Sequence, residues 1–222
     1  MTLVQRIVAA ILRGITDSMF RVEAAELAKV PEHGPLIIVT NHVHIPEIPT
    51  LYTRLLPRKV RGMALAERVL ADDLVGWILR LFDIIPVHRG EADLHALRQA
   101  LQTLKEGNIV LLDPEGTRSH DGQLQKGHPG AILLALRSGA PLLPVVHYGS
   151  ENYRENLRRL RRTNMHFVVG NPLRVNAGGG RITHAIRQKM VDEVMYQMAA
   201  LLPPEYRGVY AGLDALMQKY LS

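Results

Sequence analysis

In the run Asn41, His42, Val43, His44, Ile45, Pro46, Glu47, an imidazole and a carboxylate stand with four residues between them. Pro46 suits the first turn of a helix, so Glu47 falls where backbone N–H groups and the helix dipole favour a negative charge. A carboxylate held there stays ionised and can accept the Nδ1–H of His42, which leaves Nε2 free. A neutral imidazole so oriented can take the proton from an attacking hydroxyl and be stabilised as imidazolium, the logic of a serine hydrolase without the serine. The hydroxyl would then belong to a substrate. Taken alone, the same residues also fit a hydrogen-bonded core histidine, or a metal pair of His42 and His44 that lacks obvious third and fourth ligands.

A second run, Asp113, Pro114, Glu115, Gly116, Thr117, Arg118, Ser119, suits an anion. Gly116 lets the backbone approach closely, Arg118 presents a planar fork, and Thr117 and Ser119 add hydroxyl donors. Ionised Glu115 cannot bind a phosphate, so its expected partner is Arg118 or a substrate hydroxyl. As a bare pattern the run also fits a turn closed by a surface salt bridge. Upstream, Ile85, Pro86, Val87, His88, Arg89, Gly90 puts Arg89 just past a strand, where it could reach the same anion. Downstream, Ala140, Pro141, Leu142, Leu143, Pro144, Val145 is an apolar strand entry that fits the lining of a tunnel or ordinary core packing.

The elements around these runs must bring them together. Apolar runs at Leu36 to Thr40, Val60 to Leu65, Ile84 to Val87, Ile109 to Leu112, Leu142 to His147 and Met165 to Val169 read as strands, and Phe20 to Leu27 reads as an edge strand. Helical spacing marks Glu67 to Leu81, Glu91 to Lys105 and Gly130 to Arg137, and Pro46 and Pro49 start a helix toward Leu56. Residues 113–129 form a loop, and the last third is largely helical. The alternation predicts an α/β fold with a central, largely parallel sheet flanked by helices, whose sites collect at the carboxyl ends of the strands.

These four segments occur in the order and spacing of the 1-acylglycerol-3-phosphate (lysophosphatidic acid) acyltransferase family, which the chain resembles from about Phe20 to Val169. The tail Leu202, Pro203, Pro204, Glu205, Tyr206, Arg207, Gly208, Val209, Tyr210 is similar to bacterial members. The resemblance implies that His42 is the base and Glu47 its orienting acid. It implies that Arg89, Glu115, Gly116, Thr117 and Arg118 bind the acceptor phosphate, and that Pro144 borders the acyl-donor site. It further implies a fatty acyl thioester on coenzyme A or acyl carrier protein as co-substrate, a lysophospholipid as acceptor, and no metal or bound cofactor. Two positions depart from the family pattern: aspartate is usual where Glu47 stands, one methylene longer, and lysine after an aromatic is usual where His128 stands. Alternatives are another acceptor, such as glycerol 3-phosphate, a different lysolipid or an amino-acid lipid, and a non-catalytic lipid-binding homologue.

Composition bounds the partners. The chain has 222 residues, of which 47% are apolar, enough for one domain with a substantial core, expected over residues 20–222 behind an N-terminal helix at 1–19. Its formal charge of +6 calls for an anionic partner, while aromatics at 5% without a basic, aromatic-interleaved stripe argue against nucleic acid. Cysteine is absent, which excludes disulfides, thiolate metal sites and cysteine nucleophiles and fits the cytoplasm. No apolar stretch approaches the roughly 18 residues of a membrane span, and no signal-peptide cleavage site is evident. Leu3, Ile7, Ile11, Ile15 and Met19 step by four beside Val4, Val8 and Leu12, with Arg6, Arg13 and Asp17 opposite. Such a helix either lies in the headgroup plane of a membrane or packs on the domain, and the basic run Arg154, Arg158, Arg159, Arg161, Arg162 would add attraction to acidic lipids or carrier phosphates. The expectation is a peripheral protein on the cytoplasmic face of the membrane.

Overall fold

Thr2 caps the first helix with a capping box: its hydroxyl accepts from Gln5 N, and the Gln5 side chain accepts from Thr2 N at 2.8 Å. The computed structural model describes residues 1–88, 93–119, 121–176, 182–213 and 220–221. Helix α1 (Leu3–Met19) runs directly into strand β1 (Phe20–Glu23), followed by a 3-10 segment at Ala25–Lys29. Then come β2 (Leu36–Val39), α2 (Glu47–Arg54), β3 (Val60–Leu65), α3 (Ala66–Val69), α4 (Leu74–Leu81), β4 (Ile85–Val87) and α5 (Leu94–Lys105). The chain continues with β5 (Ile109–Leu112), α6 (Gly130–Ser138), β6 (Leu142–Tyr148), α7 (Tyr153–Arg158), β7 (Thr163–Val169) and α8 (His184–Leu201).

Among the described residues these strands form one sheet in the order β1-β7-β6-β2-β5-β3-β4. Every pairing is parallel except β6 with β7. The fold is therefore α/β, with a largely parallel sheet between helices. Leu36, Ile37, Ile38 and Val39 of β2 are all buried, as a strand covered on both faces requires. Ile37 and Val39 face a core built with α5, α6 and α8, whereas Leu36 and Ile38 face one that includes Leu51 of α2 and Leu55 just after it. Each aliphatic side chain so buried contributes ~1.5–3 kcal/mol, so β2 is a stiff support for the loop that follows it.

Three elements differ from the sequence expectation. The first edge strand stops at Glu23 rather than Leu27, because Leu27 turns into the core and the Glu26 carboxylate accepts Val169 N at 2.9 Å. The helix expected over Glu67 to Leu81 is two helices. Asp73 caps the second, accepting Gly76 N at 2.7 Å, and Gly76 lies so close to Ala71 O that a Cβ there would stand 2.1 Å away. Helix α7 has no buried residue and hence no apolar stripe to read. Residues 91–92 of the helix expected over Glu91 to Lys105 lie outside the described residues.

Helix α1 is fastened to the body at several points. Ala9 and Thr16 are buried, Asp17 pairs with Arg54 of α2, and Gln5 Nε2 donates to Leu81 O at 2.7 Å. Leu3, Val4, Ile7, Ile11 and Ile15 nevertheless remain 50–70% exposed. No helix among the described residues is long and apolar enough to cross a membrane.

Candidate active site

His42 sits three residues beyond β2, whose carboxyl end lies between those of β5 and β6. Thr40 N still donates to Leu112 O, and the Asn41 side chain adds a rung to β6: Oδ1 accepts His147 N and Nδ2 donates to His147 O, each at 2.9 Å. The loop then turns into α2, whose first residue is Glu47. Its Oε2 accepts Val43 N at 2.9 Å and His44 N at 2.7 Å, and its Oε1 accepts the Ser150 hydroxyl at 2.6 Å. His147 Nε2 is 3.3 Å from Oε2, and His42 Nδ1 is 3.7 Å from it, a contact rather than a hydrogen bond.

Glu47 is wholly buried. Burial alone would push its carboxyl up, but the His147 imidazole, the ring of His42, the Ser150 hydroxyl and the His44 N–H together outweigh that and hold it near 2. The side chain is an anion at neutral pH. His42 keeps 23% of its side chain exposed while Nδ1 is buried, so the rest of the ring carries the open edge.

The run Asp113 to Ser119 lies against this loop. Ser119 N donates to His42 O at 2.8 Å, joining two segments 77 positions apart in the chain at the main chain itself. Gly116 has φ +66°, the left-handed region, where glycine is unstrained, and the His128 ring stands beside it. Gly116, Thr117 and Arg118 are exposed, whereas Glu115 is buried. The expected pairing of Glu115 with Arg118 is absent among the described residues. Glu115 turns inward instead, with Oε2 accepting Gln125 N at 2.7 Å, and the Arg118 guanidinium makes no ion pair among the described residues. Burial raises Glu115 to about 7, partly opposed by the N–H groups of Gln125 and His42 and assisted by Asp121. Burial together with the neighbouring Glu115 charge raises Asp113 to about 8.

The far end of the loop is held by the C-terminal tail. Leu124 N donates to Tyr206 O and Val209 N to Leu124 O. Gly127 N donates to the Tyr210 hydroxyl at 3.0 Å, which itself donates to Asp192 of α8, and Gln188 of α8 reaches Gly127 O. The tail thus fixes the loop that carries Arg118.

Arg89 lies outside the described residues. Pro144 is buried in β6 on the side of Leu142 and Val146, beneath Gly170 and Leu201. It borders a cavity of about 160 Å³ lined also by Gln197 and Ala200, on the opposite sheet face from α2 and Glu47. A larger cleft of about 640 Å³ lies between α1, α2 and the 3-10 segment. Its arginines are already engaged, Arg54 with Asp17 and Arg162 with Phe20 O.

A family model described as Acyltransferase matches residues 21–148, more than half of the chain. The chain belongs to the Acyltransferase family. It is 27% identical over 118 residues to a chloroplastic 1-acyl-sn-glycerol-3-phosphate acyltransferase of Brassica napus, covering 52% of this chain and 33% of that protein. To the 1-acyl-sn-glycerol-3-phosphate acyltransferase of Pseudomonas aeruginosa it is 27% identical over 190 residues, covering 84% of this chain and 72% of that protein. The chain thus spans about a third of the first of these relatives. The crystal structure of a 1-acyl-sn-glycerophosphate acyltransferase from Thermotoga maritima superposes with a TM-score of 0.63 at 22% identity, covering 89% of this chain and 79% of that one, a likeness of fold.

The match that defines this acyltransferase-family chain ends at Tyr148, short of Ser150 and of the tail that clamps the loop. Sequence reasoning singled out the tail but not its hold on the loop, and it passed over Ser150 and the roles of Asn41 and His147. A signal was present for three of them: once β6 is placed beside β2, the polar residues His147 and Ser150 at its carboxyl end must meet the Asn41 to Glu47 loop.

Proposed function

We propose that this chain transfers a fatty acyl group from a thioester of coenzyme A or acyl carrier protein to the free hydroxyl of 1-acylglycerol 3-phosphate, giving phosphatidic acid. The observation that carries this reading is the hydrogen bond from Ser119 N to His42 O, which puts a partly open imidazole and an exposed arginine on adjoining loops. His42 takes the acceptor's hydroxyl proton as the oxygen attacks the thioester carbonyl, and Glu47 faces the imidazolium that forms. The tetrahedral intermediate then expels the thiol, which leaves with the proton from His42. Arg118 and Thr117, with Arg89, hold the acceptor phosphate; Gly116 keeps the loop open to it, and buried Glu115 offers a hydroxyl contact when protonated. Pro144 acts on the donor side through the packing of β6.

The exposed row of α1 lies in the headgroup plane, where both the acceptor and the product reside, and the chain works peripherally on the cytoplasmic face. The test is to incubate purified protein with acyl-CoA or fatty-acylated acyl carrier protein and 1-acylglycerol 3-phosphate, with glycerol 3-phosphate, other lysolipids and an acylated amino-acid lipid as competing acceptors. Phosphatidic acid should form fastest, and His42→Ala should abolish it. Undiminished turnover by His42→Ala, or no phosphatidic acid from either donor, would refute the reading.

A further inference from the structure

We propose that His147 is a positioning residue whose Nε2–H, bonded to the main-chain oxygen of Asn41 and 3.3 Å from Oε2 of Glu47, anchors the carboxylate that faces His42. The inference rests on the acyl-transfer reading given above for its kinetic consequences.

His147 Nε2 lies 2.7 Å from Asn41 O and 3.3 Å from Glu47 Oε2. A main-chain carbonyl is only an acceptor, and an ionised carboxylate likewise, so this nitrogen must carry hydrogen. The surroundings therefore fix the tautomer. The other ring nitrogen, Nδ1, is buried and has no hydrogen-bond partner among the described residues, and the ring stands edge-on to Phe167 with centroids 5.9 Å apart. A ring serving only to fill space there would be better as phenylalanine, which leaves no ring nitrogen unpartnered.

Glu47 shows what the imidazole is for. Among the described residues its buried carboxylate has no lysine or arginine in ion-pair contact, so its charge rests on two main-chain N–H groups, Ser150 and two imidazoles. The Glu47 side chain reaches in to Ser150 and His147, and His42 Nδ1 stands 3.7 Å from it. An anchored Oε2 waits at that distance for the imidazolium. Without the Nε2–H donor the carboxylate turns or takes a proton, and the cation formed on His42 loses its counter-charge. His147 is 1% exposed and touches no substrate, so the effect belongs in kcat.

The experiment compares the full chain with His147→Phe, which keeps ring volume and removes the donor, and His147→Gln, whose amide can place an N–H near the same point. Melting temperatures confirm that each is folded, and long-range imidazole 1H–15N spectra report tautomers whether or not transfer occurs. His147→Phe should lose about 10- to 100-fold in kcat, the cost of leaving a buried charged group short of a partner, with KM unchanged for both substrates. His147→Gln should recover most of that loss, and wild-type His147 should show the Nε2–H tautomer. Full kcat in His147→Phe, equal loss in both variants, a change in KM alone, or an Nδ1–H tautomer at His147 would each overturn the proposal. If His147→Phe does not fold, the wild-type tautomer and the His147→Gln kinetics decide. A wild type that acylates nothing removes the acyl-transfer reading, while the spectra still judge the anchoring.

Discussion

Oε2 of Glu47 stands 3.7 Å from Nδ1 of His42, while two main-chain N–H groups hold the same oxygen at 2.9 and 2.7 Å. The acid is therefore bonded first to the loop and only then to the base. Glu47→Leu removes both acceptor oxygens at little change in volume and leaves the Val43 and His44 N–H groups unpaired. A stability loss of about 1–3 kcal/mol follows, read by urea unfolding, together with loss of acyl transfer. A variant as stable as wild type would show that the carboxylate's acceptor role in the loop is dispensable.

Stability should pass through a maximum with pH. Glu47, held near 2 against a usual 4.5, contributes stability that is present above 4.5 and lost as pH falls toward 2. Asp113 and Glu115 are raised to about 8 and 7 from 3.8 and 4.5, so between those limits the folded state binds protons that the unfolded state has released. Their contribution therefore declines as pH rises from about 4 to 8. The maximum from these three groups falls near pH 4–5, and Asp113→Asn should flatten the decline above it. Unfolding curves across this range provide the measurement.

Much of this arrangement could be read from the sequence, and the unread part has a physical cause. Four consecutive aliphatics, all buried in β2 and three of them buried in β5, announce themselves as strands, and the polar residues that follow must then sit at a sheet edge where ligands bind. The contacts that refine the site are long-range. Asn41 meets His147 across 106 positions, and Gly127 meets Tyr210 across 83. Neither pair has a local signature. The inward turn of Glu115 was likewise hidden, because whether a carboxylate meets Arg118 or Gln125 N depends on where the loop lies over the sheet.

Arg118 is exposed and makes no ion pair among the described residues, so its removal should cost little stability. Arg118→Ala should raise KM for the phosphorylated acceptor about 10- to 100-fold, the worth of a charge-assisted hydrogen bond, and leave KM for the thioester unchanged. Arg118→Lys should recover part of that loss, since the charge remains and the planar fork does not. Equal effects on both KM values would remove Arg118 from the acceptor site.

Gly127 marks where the loop lies closest to α8. A Cβ there would stand 2.7 Å from Met195 Cγ and 3.2 Å from Val191 Cγ2, both side chains buried. Gly127→Ala should therefore destabilise the fold by about 1–3 kcal/mol and loosen the clamp on the Arg118 loop. Thermal melts give the first effect and acceptor KM the second; a normal melt would mean that Met195 repacks freely.

Ile7 and Ile11 of α1 are about half exposed, whereas Ala9 and Thr16 on the inner side are buried. The helix thus has separate faces for the domain and for its surroundings, and changes on the outer face should spare folding. If that face enters the acyl boundary of a bilayer, each isoleucine contributes the transfer of a largely apolar side chain, ~1.5–3 kcal/mol when fully buried. Ile7→Asp and Ile11→Asp should each weaken binding to vesicles rich in anionic lipid by about 10-fold or more, with the melting temperature unchanged. Turnover of a short-chain acceptor dissolved in water should persist in both. Vesicle binding that survives the double substitution would place the membrane contact elsewhere on the molecule.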